Sequence, residues 1–512
     1  MKLALSSMIS KIDQYLNKDL KIPISELVDR SGEAIAAVVR ERVEKGKSVL
    51  ILAGTGNNGA DGYSLATKLI SDYDVTVYDI FGTGPKVECG RALYEKYISL
   101  GGKLLPYAPT EESKALIKSS ACIVDAVFGT GFVGEMPKIM VPLSVAIRES
   151  VEAYKIAVDV PLGINADNGS ISDFAITVDA TVVLSFVKPG IISYPARFYV
   201  GEVIFNDIGV SENEIAKKFE FRYRMIDKAW AIRNLPERPK ASHKGTFGKL
   251  LLITGSEKYM GAAHLSLEAA LRGGAGLVTY LGDGGLCDAL SQKYPEAVYK
   301  KSVKTENLTD AELEEILKLS DSHSAVLIGS GSDNTEGLLR LTLALLMREG
   351  GTLVLDADAI NALAGIREKG IEAIKNARRQ VILTPHPLEL ARLIGVEVSH
   401  LQLNRLEVAE GFARENGCIL VLKGAGTIVT NGTDVYINAV ATSSLAKAGS
   451  GDVLAGLIGA LSAQSYISPI KAAALAVYFH SVAGLSLAGE YSDYGVTPSD
   501  LPLEIAKQMT LK

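Results

Sequence analysis

Residues 447–456 read Lys447-Ala448-Gly449-Ser450-Gly451-Asp452-Val453-Leu454-Ala455-Gly456, and a run of small and apolar residues continues beyond them. Glycines on either side of Ser450 let the backbone turn tightly, so that successive N–H groups converge on one point. A helix starting there adds the positive end of its dipole, which favours an anion such as a phosphoryl group in transfer. Asp452 then stands beside the anion hole, placed to take a proton from an attacking hydroxyl. The competing reading of the same residues is a glycine-rich turn with Asp452 as the helix N-cap.

Around this stretch lies a chain of 512 residues, too long for one ordinary core and in the range of two or more domains. Hydrophobic residues make up 47% and charged residues 22%, the balance of a globular protein. A net charge of −6 argues against nucleic acid or an anionic membrane as partner, so affinity for phosphorylated ligands has to come from local loops. Cys89, Cys122, Cys287 and Cys418 are scattered, which suits neither a disulfide framework nor a zinc site and fits a reducing compartment. The apolar start Met1–Leu5 is too short for a signal sequence, and the apolar-rich stretch 471–489 is broken by Lys471 and His480. A cytoplasmic protein is expected.

Val49–Ala53 reads as a buried strand followed by a glycine-rich loop and a helix, and Val75–Ile80, Ala121–Val127, Lys155–Val160 and Ala180–Phe186 read as further strands. Alternating βα units imply a mostly parallel sheet with helices on both faces. A helical pattern over Ile9–Arg42 precedes them. The rhythm pauses in a charged stretch containing Pro236 and Pro239. It restarts at Lys249–Thr254, Ala262–Gly273 (helix) and Leu277–Leu281, and continues through Ala325–Gly329, Thr352–Asp356, Gln380–Thr384 and Cys418–Lys423. The expected organisation is an α/β domain over 1–215, a linker over 216–240 and a second α/β domain over 241–512.

In the first half, three strand ends carry glycine and carboxylate together. Gly54-Thr55-Gly56-Asn57-Asn58-Gly59-Ala60-Asp61-Gly62 lacks the Gly-Lys-Ser/Thr of a phosphate-binding P-loop and fits dinucleotide spacing poorly. Asp125-Ala126-Val127-Phe128-Gly129-Thr130-Gly131 and Asp159-Val160-Pro161-Leu162-Gly163 close two further strands. Any one of these aspartates can be a turn residue, but three such loops on one sheet converge on one crevice.

Together the three loops resemble the N-terminal domain of the NAD(P)H-hydrate repair family, where similar turns frame an epimerase site. The resemblance implies a Rossmann-like parallel-sheet sandwich that interconverts the R and S forms of NAD(P)H hydrate. It implies that Asn57, Asn58, Gly59, Ala60 and Asp61, with Gly129, Thr130, Gly131, Phe132, Val133, Gly134 and Glu135, hold the substrate. Asn58 and Asp125 would bind a potassium ion, and Asp159 would be the acid/base group. Ala60 replaces a family glycine, a mild change at a negative φ. Leu162 stands where the family has a serine that helps coordinate potassium. An aliphatic chain cannot ligate a hard cation, so only its backbone remains for that task.

The second half supplies an ordered set of strand-end motifs: Gly255–Ala263, Gly329-Ser330-Gly331, Asp356-Ala357-Asp358, Thr384-Pro385-His386-Pro387 and Lys423-Gly424-Ala425-Gly426-Thr427. The carboxylates of Asp356 and Asp358 are of a kind that organises magnesium through water. Ending in Gly449–Asp452, the set resembles the ribokinase-like ADP- or ATP-dependent dehydratase domain of the same family. The resemblance implies phosphorylation of the hydrate's ring hydroxyl, with Asp452 as base, and loss of phosphate to regenerate NAD(P)H. Lys423, Gly424, Ala425, Gly426, Thr427 and Gly451 would contact the nucleotide, carried in with Mg2+. Ala262, Gly331, His386 and Asp452 would contact the hydrate. Ala441-Thr442-Ser443-Ser444 departs from the family's Gly-Asn-Pro, which is expected to alter local nucleotide contacts. Relatives suggest a homo-oligomer. The alternative reading is a ribokinase-like small-molecule kinase behind a non-catalytic ligand-binding domain.

Overall fold

Val49-Leu50-Ile51-Leu52-Ala53 is apolar on both faces, as a strand covered by helices on each side must be, and all five residues are buried. In the computed structural model, which describes residues 1–302 and 307–510, this strand is central to the first of two units. The chain divides between Tyr223 and Arg224. Residues 303–306 and 511–512 of the expected second domain lie outside the described residues.

The first unit opens with helices α1 (Ser6–Lys18) and α2 (Ile24–Arg42), then runs β1 (Ser48–Ala53), α3 (Asn57–Leu69), β2 (Asp74–Asp79), β3 (Lys103–Pro106), β4 (Cys122–Ala126), β5 (Tyr154–Val158), β6 (Ala180–Leu184) and β7 (Glu202–Asn206). Among the described residues the sheet order is β3-β2-β1-β4-β5-β6-β7, parallel throughout. The direction of winding reverses between β1 and β4, where Leu52 pairs with Asp125 and Ala53 with Ala126. A crevice therefore opens at their carboxyl ends, the place where such sheets bind ligands. Gly59 and Gly62 let α3 lie close here: an added Cβ would come within 1.9 Å of the Gly54 carbonyl oxygen and 2.8 Å of Ala126 Cβ. Ala60 has a negative φ and is fully buried, so its methyl group is accommodated.

In the second unit β8 (Lys249–Ile253), α4 (Met260–Arg272), β9 (Leu277–Gly282), β10 (Val298–Lys301), β11 (Ala325–Ile328), β12 (Thr352–Leu355) and α5 (Ala357–Gly365) come first. They are followed by β13 (Val381–Leu383), α6 (Pro387–Ile394), β14 (Ile419–Leu422), β15 (Ile428–Thr430), β16 (Val435–Asn438), α7 (Ser450–Ser462) and α8 (Pro469–Gly495). The strands lie in the order β16-β15-β14-β13-β12-β11-β8-β9-β10, parallel from β10 to β14 and antiparallel from β14 to β16. Here the winding reverses between β8 and β11. Both units are thus α/β layers with largely parallel sheets, as the βα rhythm predicts.

The expected linker and the apolar stretch near the C-terminal end differ from the sequence reading. Within the expected linker 216–240, Tyr223–Ile226 is a strand and Lys228–Asn234 a helix, whose Ile226 and Trp230 join the apolar core of the second unit. Burying a side chain the size of tryptophan outweighs the charged composition around it. Helix α8 is long and apolar enough in length and composition to cross a membrane, and 72% of its most apolar window is buried inside the fold. Lys471 and His480 do not interrupt it, because His480 is itself buried in that packing.

Candidate functional site

At the first crevice, a cavity of about 310 Å³ is lined by Asn57, Asn58, Asp61, Gly129, Thr130, Gly131 and Asp159 of the expected set. Gly59 and Ala60 are buried inside α3, and Val133, Gly134 and Glu135 are exposed; none of the five lines it. Phe132 is buried against Phe128, with ring centroids 5.7 Å apart, and Phe128 lines the cavity. Asn58 ties two strand ends together, its amide nitrogen donating to the Val158 carbonyl at 3.2 Å and its oxygen accepting from Gly129 N–H at 3.1 Å. Gly129, at φ +57, has no room for a Cβ, which would meet the Asn58 side chain at 3.0 Å.

Asp159 adopts φ +70, a left-handed conformation uncommon for a non-glycine residue. Its N–H donates to the Val182 carbonyl at 2.8 Å, and its carboxylate forms an ion pair with Lys188. Lys188 is fully buried and also donates to the Leu184 carbonyl at 3.1 Å. Lys188, Asp13, Ser31 and Ser185 line the same cavity and were not singled out from the sequence. The available signal was Lys188 itself, a charge at a strand end before Pro189-Gly190.

Asp125 lies behind the cavity and is 2% exposed. Its carboxylate accepts from Val127 N–H at 3.2 Å and Leu162 N–H at 2.6 Å. No lysine or arginine forms an ion pair with it among the described residues, and burial pushes its carboxyl up to about 6 against the pull of those two amides. The Leu162 side chain packs in an apolar cluster, and its carbonyl accepts from Ile176 N–H at 3.0 Å. That position therefore offers potassium no side-chain oxygen, and its carbonyl already holds one hydrogen bond.

In the second unit, helix α7 begins at Ser450, with Gly449 as its cap at φ +101. Asp452 lies inside the first turn, so the N-cap reading does not hold. A Cβ at Gly449 would approach Leu265 Cδ1 to 2.6 Å, which reserves the position for glycine. Behind the turn, burial pushes the His480 imidazole down to about 4, leaving it neutral. Its Nε2–H donates to the Ser450 carbonyl at 3.0 Å, which fixes the peptide plane of the turn.

The other expected residues of this unit come from further strand ends. Ala262 on α4 and Gly331 are neighbours, since a Cβ on Gly331 would lie 2.6 Å from Ala262 Cβ. Asp356 follows β12 and is almost wholly buried, accepting from Ser330 Oγ at 2.8 Å, Thr384 Oγ at 2.7 Å and Lys423 Nζ at 3.0 Å. Its Oδ1 thus serves two protein donors and its Oδ2 one, so Oδ2 keeps acceptor capacity for a metal-bound water. Lys423 stands close to the glycine turn, 3.5 Å from where a Cβ on Gly451 would be. Burial alone lowers its ammonium, but Asp356 and then Glu389 outweigh that and hold it above its ordinary value. Arg405 supports this loop from beneath, donating to the carbonyls of Leu422 at 3.3 Å and Lys423 at 3.2 Å.

His386 caps α6, its Nδ1 accepting from the N–H groups of Leu388 at 3.2 Å and Glu389 at 3.3 Å, while its Nε2 lies 3.3 Å from Glu389 Oε1. Asp452, by contrast, accepts no hydrogen bond from any described group and forms no ion pair. Burial, then the charge of Asp356, pushes it up to about 7, partly offset by Lys423. At 441–444, Thr442 and Ser444 hydroxyls bond each other at 2.9 Å and Ser444 Oγ donates to the Gly484 carbonyl at 2.9 Å, an arrangement turned inward on the fold.

The family described as NAD(P)H-hydrate dehydratase matches residues 250–507, and that described as YjeF-related protein N-terminus matches residues 24–190. The chain is 32% identical to the bifunctional NAD(P)H-hydrate repair enzyme Nnr of Moorella thermoacetica, over 98% of this chain and 95% of that protein. It is also 32% identical to the enzyme of the same name from Escherichia coli, over 94% of this chain and 89% of that one. Among solved structures, an ADP/ATP-dependent NAD(P)H-hydrate dehydratase from Bacillus subtilis, co-crystallised with ATP and Mg2+, is 29% identical with a TM-score of 0.48, covering 55% of this chain and 96% of that one. With both halves matched in order along its whole length, the chain belongs to the family of bifunctional NAD(P)H-hydrate repair enzymes.

Proposed function

We propose that residues 1–215 interconvert the R and S forms of NAD(P)H hydrate, and that residues 241–512 dehydrate the S form to NAD(P)H. The second step consumes ADP or ATP and releases phosphate with AMP or ADP. One observation carries the reading: Asp452 is an unpartnered, half-buried carboxylate on the first turn of α7, beside the Gly449–Gly451 turn and the Lys423 ammonium. Lys423 and the loop through Thr427, with Gly451, bind the nucleotide. Ala262, Gly331 and His386 hold the hydrate so that its hydroxyl faces Asp452. Asp452 takes the hydroxyl proton while N–H groups at the turn and the helix dipole stabilise charge on the moving phosphoryl group. Departure of phosphate from the ring then restores the reduced nicotinamide.

A magnesium ion would enter with the nucleotide's phosphates and supply charge neutralisation there. A potassium ion fits the first unit better. It would be held by Asn58 and Asp125, offsetting the burial of a carboxylate that has no cationic partner, and would supply a fixed positive charge behind the substrate. Because Leu162 brings no oxygen, Leu162→Ser is expected to bind potassium more tightly. The substitution itself destabilises by about 2–5 kcal/mol through the cavity it leaves. Exchanging sodium for potassium should nevertheless raise its unfolding midpoint more than it raises that of the wild type. Equal shifts would remove Leu162 from the account.

The pH dependence of dehydration follows from Asp452. A base must be ionised, and a carboxyl pushed up to about 7 loses its proton as pH rises through that value. The dehydratase kcat/KM is therefore expected to climb from pH 6 to a plateau above about pH 8, the climb following the titration of that one group. A profile already flat from pH 5 would exclude Asp452 as the base. The same reading takes the protein as cytoplasmic and as a homo-oligomer, with neither nucleic acid nor membrane as partner.

Product analysis tests the reading against the kinase alternative. Turnover of S hydrate should release one free phosphate for each reduced nicotinamide restored. A phosphorylated hydrate that accumulates and stays intact would mark a kinase instead.

A further inference from the structure

The first-unit cavity gathers ionisable side chains from four places in the chain: Asp13 on α1, Asp61 on α3, Asp159 after β5 and Lys188 after β6. Their surroundings differ. Asp159 has Lys188 as its ion-pair partner and also accepts from Leu184 N–H at 3.3 Å. Asp61 is buried, with the Ser31 hydroxyl beside it, and forms no ion pair with lysine or arginine among the described residues. One carboxyl of the cavity is thus matched to a positive charge and another is not.

Epimerisation asks for two such groups. The R and S hydrates differ at the ring carbon that bears the hydroxyl. Its C–O bond breaks as the lone pair of the ring nitrogen forms a C=N⁺ bond, and the departing hydroxyl needs a proton to leave as water. Water then adds to the other face, the C=N⁺ pair returns to nitrogen, and the added water must lose a proton.

We propose that Asp61 and Asp159 are the acid and base of this exchange, with Lys188 as the positioning residue for Asp159. This rests on the epimerase reading above. The protonated carboxyl of the pair gives its proton to the leaving hydroxyl, and the ionised one accepts the proton of the incoming water. Atoms and charge balance, and the site ends with its proton on the opposite carboxyl, ready to run the other epimer. Burial, and next the charge of Asp159, holds Asp61 well above the ordinary carboxylate range, which favours its protonated form in the resting site. Asp13, pushed up to about 6 mainly by burial, and the hydroxyls of Ser31 and Ser185 complete the polar groups facing the pair. The left-handed backbone at Asp159 aims its carboxylate into the cavity at a position where strain is retained.

The test is conversion of purified R hydrate by the full chain without nucleotide, so that only epimerisation is read. Asp61→Asn and Asp159→Asn should each lower kcat by about 10²–10⁴-fold, with the double variant little worse than either, as for groups that act as a unit. Lys188→Met should lower kcat and move the limb of the pH profile that reports the base, while Lys188→Arg restores part of both. In water enriched in oxygen-18, the S hydrate formed by wild type should carry the label on its hydroxyl, a result independent of whether any variant folds. Asp61→Asn turning over at the wild-type kcat, or affecting KM alone, would overturn its role as acid. Retention of the original oxygen would overturn the C–O cleavage. Wild-type protein that leaves R hydrate unchanged would instead defeat the epimerase reading itself.

Discussion

Asp452→Asn is expected to lower the dehydratase kcat by about 10²–10⁴-fold, the usual contribution of a positioned general base, while epimerisation in the other unit continues. The reasoning starts from sterics. Gly449 turns the chain at φ +101, α7 begins at Ser450, and Asp452 is thereby set on the first turn. The carboxylate is isosteric with the amide, so packing changes little, and the proton-accepting oxygen is what disappears. Because Asp452 holds no protein partner, the loss should fall on kcat, and KM for the nucleotide should move less than threefold on the order expected for a step-specific interaction. Stopped-flow recovery of reduced-nicotinamide absorbance with S hydrate checks this. An unimpaired kcat would show that the hydroxyl loses its proton elsewhere.

Asp356→Ala should have the largest effect on stability. Three donors converge on this buried carboxylate: Ser330 Oγ, Thr384 Oγ and Lys423 Nζ, the last at 3.0 Å. Removing it strands a largely buried ammonium, its side chain 17% exposed, and two hydroxyls, and breaking one partner of a buried pair costs up to about 3–5 kcal/mol. Combining it with Lys423→Met should recover part of that loss, because the unpaired charge goes too. Urea unfolding of the single and double variants, read on the second unit's tryptophan, Trp230, measures both quantities. A single variant within about 1 kcal/mol of wild type would mean that solvent reaches Lys423 and that the cluster is no structural hub.

Much of this architecture was legible in the residues because parallel strands buried on both faces read as continuous apolar runs, and glycine turns mark their ends. Val49–Ala53 and Ala325–Gly329 needed nothing more. The edge strands Lys103–Pro106 and Val298–Lys301 and the inner strand Val435–Asn438 are not legible in the sequence, since strands of four residues with charged or polar members carry little periodicity. Trp230 was hidden in a charged stretch whose composition reads as a connector.

At the sites, residues on strand-end turns are visible in the sequence, whereas the pairings between side chains are not. Asn58, Asp61 and Asp159 announce themselves beside glycines. Lys188 acquires its meaning only from Asp159, 29 positions earlier, and Asp356 from Lys423, 67 positions later. Lys423 reads as a phosphate contact, and its ammonium rests on Asp356 while facing the Gly451 turn, so its charge is oriented by the fold before any ligand arrives. Asp13 comes from an N-terminal helix whose amphipathic pattern says nothing of where its polar face points.

The most direct measurement is incubation of wild-type protein with an equal mixture of R and S hydrate, magnesium, and ADP or ATP in turn. Reduced-nicotinamide absorbance and free phosphate are followed together. The account predicts complete recovery of the reduced nicotinamide from both epimers, with one phosphate released for each ring restored. Recovery that stops when the S half is exhausted, or hydrate that becomes phosphorylated without regaining absorbance, would contradict it.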